Sequence, residues 1–387
     1  MSKWEMVTLN DVCSLITDGT HQTPQYADKG FIFLSSKNVT TGKIDWENVK
    51  YIPEELHNQL YARIAPRIGD VLLAKNGTTG VAAVVDKEFV FDIYVSLAIL
   101  RPKDSILSEY LLYAINNPIT KRKFNKELKG IGVPNLHLKN IRKTTIPLPP
   151  IKIQKQIAKT LDTAAELLAM RKQQLAELDN LLKATFYDMF GDFDELPTKS
   201  LIDLIEPGAG LSYGIVQPGD DVGKGIGVLR PVDITEGRLS LDNIKYIPAG
   251  IEEPYKKTRL NGNEILITVR GTTGDTVLTD KSSKGMNVTR GIAVIRQNDK
   301  LVNKMFLNAY LKSEKSSRYI QDNTRGATLK QINLSALREL PIPLPSLKLQ
   351  NQFATIYNNI EIERCLLIKA IESTQYLFNS LLVKYFK

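Results

Sequence analysis

The chain has 387 residues, 43% hydrophobic and 24% charged, the balance of a soluble globular protein long enough for two or more domains. It has no run of about 18 apolar residues, which argues against a membrane span, and its start, MSKWEMVTLNDV, lacks the apolar stretch of a signal peptide. The net charge of +9 admits a polyanionic partner without requiring one. The two cysteines, Cys13 and Cys365, have no partner spacing, so neither a disulfide framework nor a zinc site is expected; both read as buried free thiols in a reducing cytoplasm.

In chain order, a short amphipathic helix carrying Leu9, Val12, Leu15 and Ile16 opens the sequence, followed by strand-like segments such as FIFLSS. Val71–Ala74 and Val81–Val85 flank a glycine-bracketed turn, Asn76-Gly77-Thr78-Thr79-Gly80, and predict a hairpin. A helix over 108–128 leads to the closing phrase GIGVPNLHLKNIRKTTIPLP. The prolines of that phrase end a strand and set the entry into a helix of about 40 residues. In this helix Ile157, Leu161, Ala164, Leu168, Leu175, Leu178, Leu182 and Met189 form a coiled-coil seam interrupted at Arg171 and Thr185.

The whole order then repeats about 195 residues later. IPLPPIKIQKQIA at 146–158 returns as IPLPSLKLQNQFA at 342–354, KYIP at 50–53 as KYIP at 245–248, and GTTG at 77–80 as GTTG at 271–274. Leu201, Leu204 and Ile205 mirror the opening helix, and residues 303–322 mirror 108–128. The seam recurs as Phe353, Tyr357, Ile360, Arg364, Leu367, Ile371, Thr374, Phe378, Leu381 and Tyr385. The period is too long for a solenoid. The fold class is therefore α/β, mixed α+β: two tandem homologous domains, each followed by a long helix, with the two helices pairing as an antiparallel coiled coil. The boundaries fall at 1–147, 148–190, 191–343 and 344–387. In such a pairing Arg171 and Arg364 would sit near the middle of the seam, either fixing its register or reaching out to solvent. The long helices carry excess charges of only +1 (151–190) and +2 (346–387), so the basic surplus lies mainly on the domains.

Motifs for chemistry are not duplicated with the framework. The three histidines, His21, His57 and His137, have no metal-ligand spacing and are expected in loops or on the surface. GDDVGKGIG at 219–227 lacks the Gly-Lys-Ser/Thr of a phosphate loop. The acidic Glu127-Leu128-Lys129 is mirrored by Asn323-Thr324-Arg325, so no nuclease carboxylate is kept, and NNPIT at 116–120 does not supply a methyltransferase loop. The segments that differ between the copies are rich in Lys, Arg, Asn, Gln, Thr and His, the side chains that read base edges and hold phosphates. The candidate DNA-binding residues are Thr20, His21, Gln22, Thr23, Ser36, Lys37, Lys75, Asn76, Thr78, Thr79, Asn135, His137 and Lys139 in the first copy. Those in the second copy are Ser212, Tyr213, Arg230, Arg270, Thr272, Thr273, Lys330, Gln331 and Asn333. Solvated loops that drifted after duplication are the competing reading of the same segments.

The tandem units, the GTTG turns, the two closing phrases and the Gln-rich helix starts IKIQKQIA and LKLQNQFA together resemble the specificity subunits of type I restriction–modification enzymes, over essentially the whole chain. The resemblance implies two target-recognition domains that read the unlike halves of a split DNA sequence across a helical spacer. It also implies two modification subunits that methylate adenine with S-adenosylmethionine, ATP-driven restriction subunits that need Mg, and no catalysis, cofactor or metal in this chain. Two other readings stay open: a tandem protein-interaction module, and a methyltransferase or nuclease polypeptide fused to its own specificity module.

Overall fold

Residues 4–128, 135–191, 193–235, 237–326 and 330–387 are described by a computed structural model, in which the chain forms two compact units. Unit 1 comprises residues 1–173 and 368–387, and unit 2 comprises 174–367. The stretches GIGVP (130–134) and ATL (327–329) of the two closing phrases lie outside the described residues.

Unit 1 begins with β1 (Met6–Thr8), α1 (Leu9–Val12), β2 (Cys13–Asp18), β3 (Phe31–Leu34), β4 (Lys50–Ile52), α2 (Glu54–Arg63), β5 (Val71–Ala74), β6 (Ala82–Val84), β7 (Phe91–Ile93) and β8 (Leu97–Pro102). It continues with α3 (Ser108–Asn116), α4 (Pro118–Glu127), α5 (Leu138–Lys143), β9 (Thr145–Pro147) and the start of α6 (Ile151–Phe190). The central sheet runs β2-β8-β5-β6, all antiparallel, and a second sheet runs β4-β3-β7 with β3 and β7 parallel. Strand alternation divides the core in two. Val71, Leu73, Ala98 and Leu100 face the helices, while Leu72, Ala74, Leu97 and Ile99 face Phe91 and Ile93 of the second sheet. The hairpin expected around Gly77–Gly80 is β5 paired with β6.

Unit 2 contains the rest of α6, then β10 (Thr198–Ser200), a 3-10 turn over Leu201–Leu204, β11 (Ser212–Tyr213), β12 (Ile226–Leu229), β13 (Ile234–Thr235), β14 (Arg238–Leu239), β15 (Lys245–Ile247) and α7 (Ala249–Glu252). Strands β16 (Ile265–Arg270), β17 (Thr272–Leu278), β18 (Asn287–Val288) and β19 (Ile292–Ile295) follow. The unit ends with α8 (Lys304–Leu311), α9 (Glu314–Asp322), β20 (Thr324–Arg325), β21 (Gln331–Ile332), α10 (Leu334–Arg338), β22 (Pro341–Pro343) and the first part of α11 (Leu347–Phe386). Its sheets repeat the plan: β19, β16 and β17 are antiparallel neighbours, and β15-β12-β18 contains the parallel pair β12-β18. Ile265, Ile267 and Val269 again face the helices, with Leu266 on the other side.

The repeated phrase at each domain exit has a physical cause. Its Ile-Pro pair forms the last residues of β9, which pairs with β1, and of β22, which pairs with β10. Its first glutamine is fully buried at the start of the long helix. Gln154 donates through Nε2 to the carbonyls of Ser105 (2.9 Å) and Pro149 (2.9 Å) and accepts from the Leu107 N–H (2.9 Å). Gln350 donates to the Pro345 carbonyl (2.8 Å) and accepts from the Asn303 N–H (2.8 Å). One amide thus ties the helix entry to the start of α3 or α8, and leaving such buried groups unpaired costs about 1–3 kcal/mol each.

The seam residues are buried or half-buried along both long helices. In unit 1, Ile157 and Leu161 of α6 share a core with Leu382 and Phe386 of α11, whereas Arg171 bonds the Ala370 carbonyl (2.7 Å) and the Thr374 hydroxyl. The two helices therefore run antiparallel in this unit. In unit 2, Phe186 and Phe190 pack on Phe353, and Arg364 meets Asp179 across the seam (3.0 Å) and Glu361 one turn back on its own helix. Both arginines thus find partners across the seam, Arg171 by hydrogen bonds and Arg364 by an ion pair.

Several local expectations are corrected. The opening helix stops at Val12, so Leu15 and Ile16 lie on β2, and its mirror is only a 3-10 turn with Ile205 beyond it. The helix over 108–128 is two helices: Asn117 caps a new start, accepting from the Ile119 (2.9 Å) and Thr120 (3.0 Å) N–H groups, with Pro118 in the first turn. Ser313 divides α8 from α9 in the same way. His57 is not a surface residue. It is 6% exposed, bonded through Nδ1 to Asp92 (2.7 Å) and stacked on Phe31 at 3.7 Å between ring centroids. Burial raises the Asp92 carboxyl above its ordinary range, with the His57 hydrogen bond opposing. Cys13 is buried, and its thiol is pushed up to about 12 by that burial, whereas Cys365 is exposed, on the side of α11 away from the seam.

Candidate nucleic-acid interface

The two units present the sequence candidates on one backbone frame. In unit 1, β2 ends at Asp18 and the chain passes Gly19 so closely to β7 that a Cβ would lie 1.9 Å from the Ile93 carbonyl oxygen. A Cβ on Gly214, just after β11, would likewise lie 1.9 Å from the Val288 carbonyl oxygen. Only glycine fits such an approach. Thr20 then bridges Tyr94 in parallel register, and Ile215 bridges Thr289. This sets Asp18 against Tyr213 and Thr20 against Ile215, a match hidden in the sequence because TDGT and SYGI share only the glycine.

The strand ends around that crossing carry the unlike side chains. In unit 1, Lys75 follows β5, is 5% exposed and forms a buried ion pair with Asp18. Its backbone joins Ser96 and Leu136, and the Ser96 hydroxyl accepts from the Ser36 N–H (3.0 Å). His21 lies 3.4 Å from the other Asp18 oxygen, and the Thr23 hydroxyl meets the Tyr94 hydroxyl at 3.3 Å. Asn76 and Asn135 pair through their backbones, and the side-chain carbonyl oxygen of each is buried with no hydrogen bond among the described residues. Gln22, Lys37, Thr78, His137 and Lys139 are exposed, Thr79 is half-exposed, and His137 stands at the N-cap of α5.

In unit 2 a different pair of side chains fills the equivalent place. Val269, whose N–H bonds Gly291 as that of Lys75 bonds Ser96, is fully buried, and Tyr213 takes the position of Asp18. Arg270 pairs in backbone register with Gln331, as Asn76 does with Asn135. Thr272 and Thr273 form the tip of the β16–β17 turn, with the Thr273 hydroxyl 3.3 Å from that of Thr324. Ser212 and Tyr213 are half-exposed on β11, and Lys330 and Asn333 are exposed on either side of β21.

Two candidates are placed differently from the others. Lys75 is inside the unit, and its ammonium is occupied by Asp18. Arg230 donates to both oxygens of Asp233 (2.8 and 3.1 Å) and to the Asn243 carbonyl (2.9 Å), bonds that hold its guanidinium in the charged form. Both side chains are thus paired with a carboxylate of their own unit. Sequence reasoning missed Tyr94 and the exposed Arg290, whose N–H bonds the Ile215 carbonyl (2.8 Å) beside Tyr213. The constant offset through VSLAILRP and RGIAVIRQ is the signal that points to Arg290.

The two units thus share one backbone frame lined by different side chains. The profile of the type I restriction modification DNA specificity domain matches residues 1–180 and 230–373. The chain belongs to that family. Among its relatives is the type I restriction enzyme EcoBI specificity subunit of Escherichia coli, 26% identical over 258 residues, 59% of this chain and 54% of that one. The putative type I restriction enzyme MjaX specificity subunit of Methanocaldococcus jannaschii is 26% identical over 389 residues, 93% of this chain and 88% of that one. The match thus spans about half the length of the first relative and most of the second. A type I restriction-modification S subunit from M. genitalium shares the fold, with a TM-score of 0.63, 15% identity, and coverage of 100% of this chain and 96% of that one. A chain from a solved type I R-M system matches with a TM-score of 0.59 and 18% identity, covering 99% and 97%. Among the described residues no helix of this family member is long and apolar enough to cross a membrane.

Proposed function

We propose that this chain is the DNA specificity subunit of a type I restriction–modification assembly, each unit reading one half of a split duplex sequence. The observation that carries the reading is the exchange of side chains on a kept frame: Asp18, Lys75, Asn76 and Asn135 in one unit stand where Tyr213, Val269, Arg270 and Gln331 stand in the other. Arg is suited to guanine and Gln to adenine, whereas Asn76 and Asn135, whose side-chain oxygens are buried, offer amide N–H donors, so the two sites favour different bases. In this reading Thr20, His21, Gln22, Thr23, Ser36, Asn76, Asn135 and His137 face one half-site. Ser212, Tyr213, Arg270, Gln331 and Asn333 face the other. Lys37, Lys139, Lys330 and the threonines of the two GTTG turns hold phosphates, and Lys75 and Arg230 position the backbone behind them.

Residues 1–147 and 191–343 are then the recognition domains, and the helices over 148–190 and 344–387 are the spacer. Methylation of adenine with S-adenosylmethionine, and ATP-dependent cleavage, belong to partner modification and restriction subunits. Removing one heptad from α6 and the matching heptad from α11 keeps the seam in register and shortens the helix pair by about 10 Å, about three base pairs of duplex at 3.4 Å each. The unread gap between half-sites, read from the sequences selected out of a random duplex pool, is expected to contract; an unchanged gap contradicts the spacer role.

A further inference from the structure

We propose that helices α4 and α5 of unit 1 form a phosphate-holding surface for duplex DNA that unit 2 lacks, so that the two half-sites are docked with unequal electrostatic contributions. This rests on the recognition reading above.

The two helices, PITKRKFNKE and LKNIRK, carry seven cations and one acid. Their inner faces bury Thr120, Phe124 and Ile141. Two of the cations serve the fold: Lys123 donates to the Thr145 carbonyl (2.7 Å) and hydroxyl (2.9 Å), and Arg142 donates to the Ile16 carbonyl (2.6 Å). A third, Lys121, is half-buried, and burial lowers its pKa. The remaining four, Arg122, Lys126, Lys139 and Lys143, are exposed and stand in two pairs one helical turn apart. Among the described residues none of the four has an ion-pair partner, and Arg122 donates only through Nε to the Pro118 carbonyl on its own helix (3.3 Å). The Asn140 side chain reaches the Glu127 carbonyl (3.4 Å), so the helices are neighbours. The surface also adjoins the candidate site: His137 stands at the N-cap position of α5, the Leu136 N–H bonds the Lys75 carbonyl (2.8 Å), and Phe124 lies against Gly80 of the repeated turn.

Unit 2 keeps the architecture of this region and not its charge. Ser313 caps α9 as Asn117 caps α4, Ile320 lies against Gly274 as Phe124 lies against Gly80, and Arg338 donates to the Leu211 carbonyl (2.8 Å) as Arg142 does to Ile16. In that frame, 196 residues on, the four exposed cations become Arg318, Asp322, Ser335 and Glu339. Arg318 is itself 3.7 Å from Glu314. At these four positions unit 2 offers two acids and one paired arginine, which do not hold phosphate, whereas four exposed cations beside a base-reading site release counterions from a duplex.

The test uses the full chain co-expressed with its modification subunit and two duplexes, one with the cognate site and one scrambled. The variant R122Q/K126Q/K139Q/K143Q changes only exposed side chains, and its melting is checked against the wild type. Each phosphate left without its cation is expected to flatten the slope of log K against log salt by about 0.9, so the variant slope should be shallower by about 3–4, on both duplexes alike. Arg318→Gln should leave the slope as it is. A wild type that discriminates the duplexes, with an unchanged slope in the quadruple variant, overturns this surface alone. So does a variant that loses the modification subunit with no change of slope, since the patch would then serve an acidic protein surface. A wild type without salt-dependent duplex binding removes the recognition reading and this surface with it.

Discussion

Replacing Lys75 by alanine is expected to destabilise unit 1 by about 3–5 kcal/mol, the cost of leaving one charge of a buried ion pair without its partner. Asp18 has a side chain only 10% exposed, and its other neighbour, His21, stands 3.4 Å away on the surface. The loss therefore falls on the ends of β2 and β5, which flank β8 in the sheet, and Thr20 and His21 lose their support. Replacing both partners, Asp18→Asn with Lys75→Met, should recover most of the stability, because unit 2 fills the same place with Tyr213 and Val269. Hydrogen exchange of the β2, β5 and β8 amides is the right measurement, since a chain of two units need not unfold in a single step. Native protection of those strands in the single variant would show that the ion pair does not hold the strand ends.

Phe186→Ala should destabilise unit 2 by about 3–5 kcal/mol, the range for truncating a buried aromatic side chain. Phe186 lies near the end of α6, is 3% exposed and has ring centroids within 5.2–5.8 Å of Phe190, Phe193, Phe306 and Phe353. It therefore joins α6, α8 and α11 in one cluster. Leu167→Ala, at an exposed position on the same helix, should change stability by no more than about 0.5 kcal/mol. Exchange in α8 and β16 should accelerate in the first variant and not in the second. Equal protection in the two would place the helix anchorage elsewhere.

What was legible in the sequence was whatever physics writes with a period. The seam shows because a heptad of apolar residues is a repeating signal, and the duplication shows because two copies share turn glycines and helix-entry prolines. The buried Gln154 and Gln350 were visible as repeated letters, although their role, an amide closing backbone groups at the helix entry, needs distant partners brought together. The equivalence of Gly19 and Gly214 was not legible. A close backbone approach constrains one residue and leaves its neighbours free, so the flanking letters diverged. The interior His57 was missed for a related reason: its partners, Asp92 and Phe31, lie on other strands, and a lone histidine carries no periodic mark. Lys75 likewise reads as a surface cation until Asp18, 57 residues earlier, is placed beside it. The break at Asn117-Pro118 was signalled locally by a capping residue before proline, and a continuous helical pattern on both sides masked it.

In the proposed function, two unlike sites on one repeated frame read the two parts of a split DNA sequence. Sequencing the methylated adenines of cells that express this chain with its modification subunit tests it most directly, with a chain carrying Arg270→Ala and Gln331→Ala alongside. The expected result is one asymmetric motif in two parts separated by a fixed unread gap, methylated on both strands. The variant should relax one part by about 1–3 kcal/mol of discrimination per base pair read and leave the other part and the gap unchanged. A continuous motif, or a variant that degrades both parts equally, would show that the two units do not read separate halves.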